Sequence, residues 1–341
     1  MNRRRAGLAI APAPHVHGGT AVPWVMLHVV IALLPVCLFA CYVFGLAALA
    51  ILVVATLSCV LAERLCVRSG VSTLGDGSAL VTGLIYGLTL PPALPLWMVA
   101  VGGGVAIVIG KCLFGGLGGN AFNPALVGRV FLQAAFPAAM TGCWLAPLTE
   151  GRFSALPATT LAWPLLAPVD GSYDILSGAT PLGAWKFAGV DTPLVDLVLG
   201  FSAGSTGETS AVLLFVGGLY LVMMRVVEWR IPVALLGSVA LVSAGLHLHD
   251  AARHPDVLTV LCSGGLMIGA WFMATDPVAS PLTAAGAWTY GLAIGLLVVL
   301  IRAASGQPEG VMYAILLGNA VAPHIDRWLQ PRPYGMRGRR R

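Results

Sequence analysis

The residues equipped for chemistry in this chain are hydroxyls, amides and carboxylates placed at breaks in apolar sequence. The stretch DILSGATPLG, Asp174 to Gly183, offers the hydroxyls of Ser177 and Thr180 among Gly178 and Ala179, with no His or Cys beside them. Such a hydroxyl has no general base of its own, so self-activated nucleophilic catalysis is not expected. In KCLFGGLGGNAFNPALVG, Lys111 to Gly128, the run Gly115, Gly116, Gly118, Gly119 and Pro124 interrupts helical hydrogen bonding. The amides of Asn120 and Asn123 can satisfy the freed backbone groups, or they can hydrogen-bond a planar heterocycle. Asp76 and Asp276 stand at the ends of broken segments, as sites for a coupling ion or as helix caps.

Metal chemistry is poorly supported. The cysteines at 37, 41, 59, 66, 112, 143 and 262 form no C-x-x-C, which argues against an iron–sulfur cluster or zinc held by this chain alone. Cys37 and Cys41, one helical turn apart, read as packing. His247, His249, Asp250 and His254 fall in one outer loop and read as solvated. No catalytic side chain and no metal ligand is expected.

The elements that must position these groups are membrane helices. The chain is 58% hydrophobic and 10% charged, with a mean hydropathy of +0.88, against about a quarter charged residues in soluble domains. An α-helix needs roughly 20 apolar residues to cross a hydrocarbon core of about 30 Å. Candidate spans fall near 24–44, 46–66, 77–92, 95–113 and 123–142, then near 209–226, 232–248, 257–274, 283–302 and 311–325. The first follows MNRRR without a small-residue cleavage site and is expected to be retained rather than removed as a signal peptide. Ala79–Leu90 covers only about 18 Å as a helix, so it needs extension by polar sequence or support from protein or water. The expected organisation is a cytoplasmic tail (1–22), a first membrane unit (23–142), a periplasmic segment (143–207), a second membrane unit (208–326) and a basic cytoplasmic tail (327–341).

Charge sets the orientation. With ten crossings and a cytoplasmic amino terminus, 14 Lys and Arg lie inside and 4 outside (Arg152, Lys186, Arg253 and Arg302); with Arg129, inside a span, they make up all 19. That asymmetry follows the positive-inside rule. The net charge of +5 is therefore a topology signal rather than a nucleic-acid footprint.

The two halves echo each other. TGLIYGLTLPP (Thr82 to Pro92) is answered by SGGLMIGAWFMATDP (Ser263 to Pro277), each with a Gly-xxx-Gly pair, Gly83/Gly87 and Gly265/Gly269. GNAFNP (Gly119 to Pro124) is answered by GNAVAP (Gly318 to Pro323). Five spans per unit is an odd number, so the second copy must enter from the opposite side. Inverted repeats place cavities between interrupted helices; the glycine pairs also permit close helix packing.

With SGATPLG in an outer loop, FGGLGGNAFNPALVGR and GDGSALVTGLIYGLTLPP before it, and ATDPVASP and GNAVAPHID after it, the chain resembles the RnfD/NqrB family of flavin-carrying membrane subunits over nearly its whole length. The resemblance implies an all-α fold similar to urea transporters, ten transmembrane helices in two inverted five-helix repeats with broken helices. It implies FMN carried covalently on Thr180 through a phosphoester, attached by a separate flavin transferase, with Ser177, Gly178, Ala179 and Asp174 as recognition context. Asparagines of the F-x-N-P region approach a non-covalent riboflavin in B-type relatives, and Asn120 and Asn123 match them. Family members relay electrons between flavin- and iron–sulfur-carrying partner subunits in the bacterial inner membrane. Their complex couples NADH–ferredoxin electron exchange to movement of Na⁺ or H⁺. The length and short head resemble the D-type branch more than the B-type subunit of sodium-pumping NADH:quinone reductases. A solute channel on the same scaffold is the rival of another class, because fold does not fix function.

Overall fold

Gly45 makes the first reversal of the chain. Its φ of +67° suits glycine, and a Cβ there would lie 2.1 Å from the carbonyl oxygen of Arg152. On either side run α1 (Val22–Phe44) and α2 (Leu46–Cys66). The computed structural model describes residues 21–66, 74–164, 179–208, 210–251, 254–305 and 309–330, and among these it is helical, without a strand. Asp174, Ser177 and Gly178 lie outside the described residues, as do most of the amino-terminal tail and residues 331–341.

The first half continues with α3 (Ser78–Leu88), α4 (Leu96–Ile107, widening into a π-turn over Val108–Cys112), α5 (Pro124–Ala135) and α6 (Pro137–Gly142). The connecting region holds α7 (Pro181–Gly183, running into a π-turn over Ala184–Ala188) and α8 (Leu194–Leu199). The second half contains α9 (Ala211–Met223), α10 (Arg230–His249), α11 (Val257–Cys262), α12 (Leu266–Ile268, with a π-turn over Gly269–Met273), α13 (Ala284–Ala304) and α14 (Val311–Trp328).

Four of these helices, α1, α2, α10 and α13, are long and apolar enough to cross a membrane. Their outward faces carry Leu38, Leu57, Leu61, Leu241 and Leu300, each more than half exposed. So much exposed leucine is costly in water and suits lipid. This is a helical membrane protein. The remaining helices coincide with the shorter or interrupted apolar stretches of the sequence.

Packing is alike in the two halves. In the first, α4 packs on α2 and α5; in the second, α13 packs on α10 and α14. The contacts depend on glycine in both. A Cβ on Gly103 of α4 would lie 2.0 Å from Ser58 Oγ of α2, and one on Gly295 of α13 would lie 1.8 Å from Ser238 Oγ of α10. Small residues let helix backbones approach closely where no hydrophobic effect drives association in lipid. Gly83 does the same for α3, where a Cβ would meet the Thr56 backbone of α2 at 2.6 Å.

Candidate functional site

Thr180 is the N-cap of α7. Its backbone is extended (φ −65°, ψ 150°), and Pro181 follows at the first helical position, where its missing N–H costs nothing. The Thr180 hydroxyl oxygen accepts from the N–H of Gly183 at 3.2 Å. A Cβ on Gly183 would lie 3.0 Å from that oxygen, so glycine keeps the space beside the hydroxyl clear. The threonine is not held out into solvent: it is 8% exposed, with its oxygen turned onto the first turn of α7.

Beyond α7 opens a cavity of about 570 Å³, lined by Leu182, Trp185 and Lys186 from this segment and by His254, Val260 and Arg302 from the second half. That size falls within the range of small-molecule and cofactor sites, about 300–1,000 Å³. Lys186 donates to the carbonyl oxygens of Arg302, at 2.9 Å, and Ser305. Desolvation lowers the Lys186 ammonium below its ordinary value. Arg302 donates to Val260 O at 2.8 Å and Ser263 O at 3.1 Å, the carbonyls left free where α11 ends.

The asparagines occupy a second locus, between the halves. Asn123 caps α5, its Oδ1 accepting from Ala125 N at 3.0 Å, while its Nδ2 donates across to Met273 O at 3.3 Å. Asn120 Nδ2 donates to Phe122 O at 3.2 Å. Asn319, oriented so that both ends of its amide find partners, accepts from Asn123 N at 3.1 Å and donates to Tyr290 Oη at 2.6 Å. The repeated motifs GNAFNP and GNAVAP therefore touch one another, although the second lies inside continuous α14. The cavity here is about 110 Å³, bordered by Ser78, Thr82, Lys111, Trp271 and Asp276. Both amides bond backbone groups around the break.

Asp76 and Asp276 each bond the backbone two residues on. Asp76 Oδ1 accepts from Ser78 N at 2.8 Å and from Ser78 Oγ at 2.5 Å, and Asp276 Oδ1 from Val278 N at 3.1 Å. Among the described residues no group of His, Cys, Asp and Glu could hold a metal ion. His247 Nδ1 pairs with His254 O at 2.7 Å.

Two charged clusters are not legible in the sequence. Lys111, one of the charges assigned to the cytoplasmic face, is 3% exposed and pairs with Glu63 at 2.7 Å; it also donates to Ser78 Oγ at 2.5 Å. Arg129 pairs with Glu309 at 2.5 Å and donates to Thr89 O, where α3 ends. Glu208 and Arg302 act electrostatically on the same cluster. The only sequence signal is an acidic or basic residue inside or beside an apolar run, without its partner.

A model of the NQR2, RnfD, RnfE family matches residues 9–335. The D-type subunit of the ion-translocating oxidoreductase complex of Stutzerimonas stutzeri is 41% identical, over 94% of this chain and 94% of the relative. The D-type subunit of the proton-translocating ferredoxin:NAD(+) oxidoreductase complex of Clostridium ljungdahlii is 38% identical, over 96% of each. The D-type subunit of the Na(+)-translocating ferredoxin:NAD(+) oxidoreductase complex of Acetobacterium woodii is 37% identical, over 96% of each.

Proposed function

The chain belongs to the NQR2, RnfD, RnfE family, and from that premise we propose that it is the D-type membrane subunit of an ion-translocating ferredoxin:NAD⁺ oxidoreductase complex, with FMN esterified to Thr180. The observation that carries the reading is the setting of Thr180. A hydroxyl at the start of a helix, kept clear by Gly183 and next to a cavity of cofactor size, suits a phosphoester. The Gly183 N–H, already directed at the Thr180 oxygen, stays beside it after esterification. Among the described residues no acceptor takes the Thr180 hydroxyl hydrogen, so esterification sacrifices no hydrogen bond donated by this group. Trp185 and the cations Lys186 and Arg302 border the cavity beside it. FMN supplies reversible electron transfer, and the chain supplies its anchor and surroundings.

The fold we assign is ten transmembrane helices in two inverted five-helix repeats, similar to urea transporters. The matched helix packing and the paired Gly–Ser contacts support it. Both termini are placed in the cytoplasm and segment 143–207 in the periplasm, on the charge asymmetry of the sequence. A flavin transferase acts on that side, and the flavin- and iron–sulfur-carrying subunits of the complex exchange electrons with the bound FMN. The residues around Asn120 and Asn123 do not fit a riboflavin as they stand. Their amides are engaged, and about 110 Å³ is well below the usual size of a ligand pocket.

The test is the intact mass and visible absorption of the full chain, purified after co-expression with a flavin transferase. The reading requires a yellow chain heavier by one FMN less water. An unmodified, colourless chain that conducts a small solute would replace it with the channel reading.

A further inference from the structure

The segment before α9 brings a half-buried carboxylate against the protein interior, with one of its oxygens enclosed. Thr206 N and Oγ1 donate to Leu90 O at 2.9 and 2.7 Å, and Gly207 N donates to Leu88 O at 2.6 Å, so the segment is bonded onto the open end of α3. Thr206 is fully buried, and a Cβ on Gly207 would lie 2.7 Å from Leu88 Cβ. Glu208 follows. Its Oε2 accepts only a long bond, 3.4 Å, from Ser205 N, and its Oε1 is enclosed without a partner.

The surroundings of Glu208 form a charge centre with one pair closed and one open. Arg129 and Glu309 are the closed pair. Arg302 spends both terminal nitrogens on the carbonyls of Val260 and Ser263 and makes no ion pair among the described residues. Three further polar atoms are enclosed and unsatisfied here: Arg129 Nε, Arg302 Nε and Ser205 Oγ. Arg129 is 4% exposed and Ser205 is 1% exposed. A cavity of about 20 Å³, lined by Thr89, Arg129, Gly265 and Glu309, adjoins them. That is room for roughly one water molecule. Arg302 also lines the large outer cavity, so the centre borders a route to water.

We propose that Glu208 is a proton-binding site, exchanging a proton with water of the outer cavity while Arg129, Glu309 and Arg302 hold the surrounding charge. A carboxylate with one oxygen enclosed and unpartnered, and with no ion pair, is costly to keep ionised, and it becomes neutral by taking a proton. Proton uptake here is simple addition: the carboxylate gains H⁺ from water and returns it, with no bond to carbon and no electron moved. Sodium is the wrong cation for this place. The guanidinium groups of Arg129 and Arg302 act electrostatically on the site and repel a metal ion, and the free oxygen donors are Glu208 Oε1 and Ser205 Oγ, too few for an oxygen-ligated ion. The groups acting on Glu208 come from α5 (Arg129), α13 (Arg302), the segment before α14 (Glu309) and its own loop (Ser205). Burial foremost, then the Glu309 carboxylate, push Glu208 up to about 7, against the opposing pull of Arg129. The inference stands apart from the flavin reading, since it concerns a proton on a side chain and not the FMN.

The test is infrared difference spectroscopy of the full chain in lipid nanodiscs, titrated across neutral pH with and without sodium. The expected result is a protonated-carboxyl band that titrates near neutrality, is lost in Glu208→Gln, and ignores sodium. In Glu309→Gln, which removes a neighbouring negative charge, the titration should move to lower pH. A titration unchanged in Glu208→Gln overturns the proposal, as does displacement of the band by sodium. If Glu208→Gln fails to fold, the Glu309→Gln titration decides, and an unmoved midpoint there also overturns it. Flavin content is read separately on each sample, so loss of FMN is not confused with loss of the band.

Discussion

Replacing Lys111 by Met should destabilise the protein strongly, and replacing Glu63 at the same time should restore much of the loss. Lys111 Nζ lies 2.7 Å from Glu63 Oε1 and 2.5 Å from Ser78 Oγ, with the two charged side chains 3% and 1% exposed. At that separation and an effective dielectric of about 20, the attraction is about 6 kcal/mol, most of which offsets desolvation. The intact pair therefore adds little. Removing only the cation leaves Glu63 buried and uncompensated, with Oε2 already lacking a partner, at a cost of about 3–5 kcal/mol. Lys111→Met with Glu63→Gln removes both charges and should cost clearly less than Lys111→Met alone. The assay is reversible unfolding in mixed micelles, followed by circular dichroism as a double-mutant cycle. A cost below about 1 kcal/mol for Lys111→Met, the size of an exposed pair, would mean that water screens these charges after all. Additive effects of the two changes would mean that they do not act on each other.

Gly183→Ala places a methyl 3.0 Å from Thr180 Oγ1, and should lower the fraction of chain carrying FMN while leaving the fold intact, measured by intact mass. Asn120→Leu with Asn123→Leu should leave FMN attached but weaken the break between the halves, since each unmet buried partner costs about 1–3 kcal/mol. Unfolding in mixed micelles reads that loss, and unchanged stability would show the amides are not needed there. Glu208 holds its proton more tightly folded than unfolded, so its contribution to stability is fully present below the ordinary carboxylate value of 4.5 and is lost as pH rises through about 7. Unfolding measured from about pH 5 to about pH 8 should show that fall in the parent chain and a shallower one in Glu208→Gln.

The sequence made the helical elements visible because their signal is local. The apolar run at Ala79–Leu90 is too short to cross alone, and α3 ends at Leu88, with its end met by residues 206 and 207 of a distant segment. Gly83 and Gly87 read as packing glycines, and a Cβ on either would press on α2. Asp76 and Asp276 each accept from an N–H two residues on, at Ser78 and Val278, a local bond that a polar residue beside Gly or Pro makes legible. What could not be read was pairing across long separations. Glu63 meets Lys111 48 residues away, and Arg129 meets Glu309 180 residues away. Nothing local marks either partner, and a charge count by loop puts Lys111 in water. The motif singles out Thr180, but the turn of its oxygen onto α7 depends on Gly183 and the helix that follows.

In-gel flavin fluorescence of denatured Thr180→Val bears on the proposed FMN ester itself, because denaturation releases non-covalent flavin and keeps the ester. Valine matches threonine in shape but lacks the oxygen that the phosphoester needs. Fluorescence is expected from the parent chain and from Ser177→Ala, a weaker band or none from Thr180→Ser, and none from Thr180→Val. A fluorescent Thr180→Val band would put the flavin on another residue and contradict the assignment of Thr180.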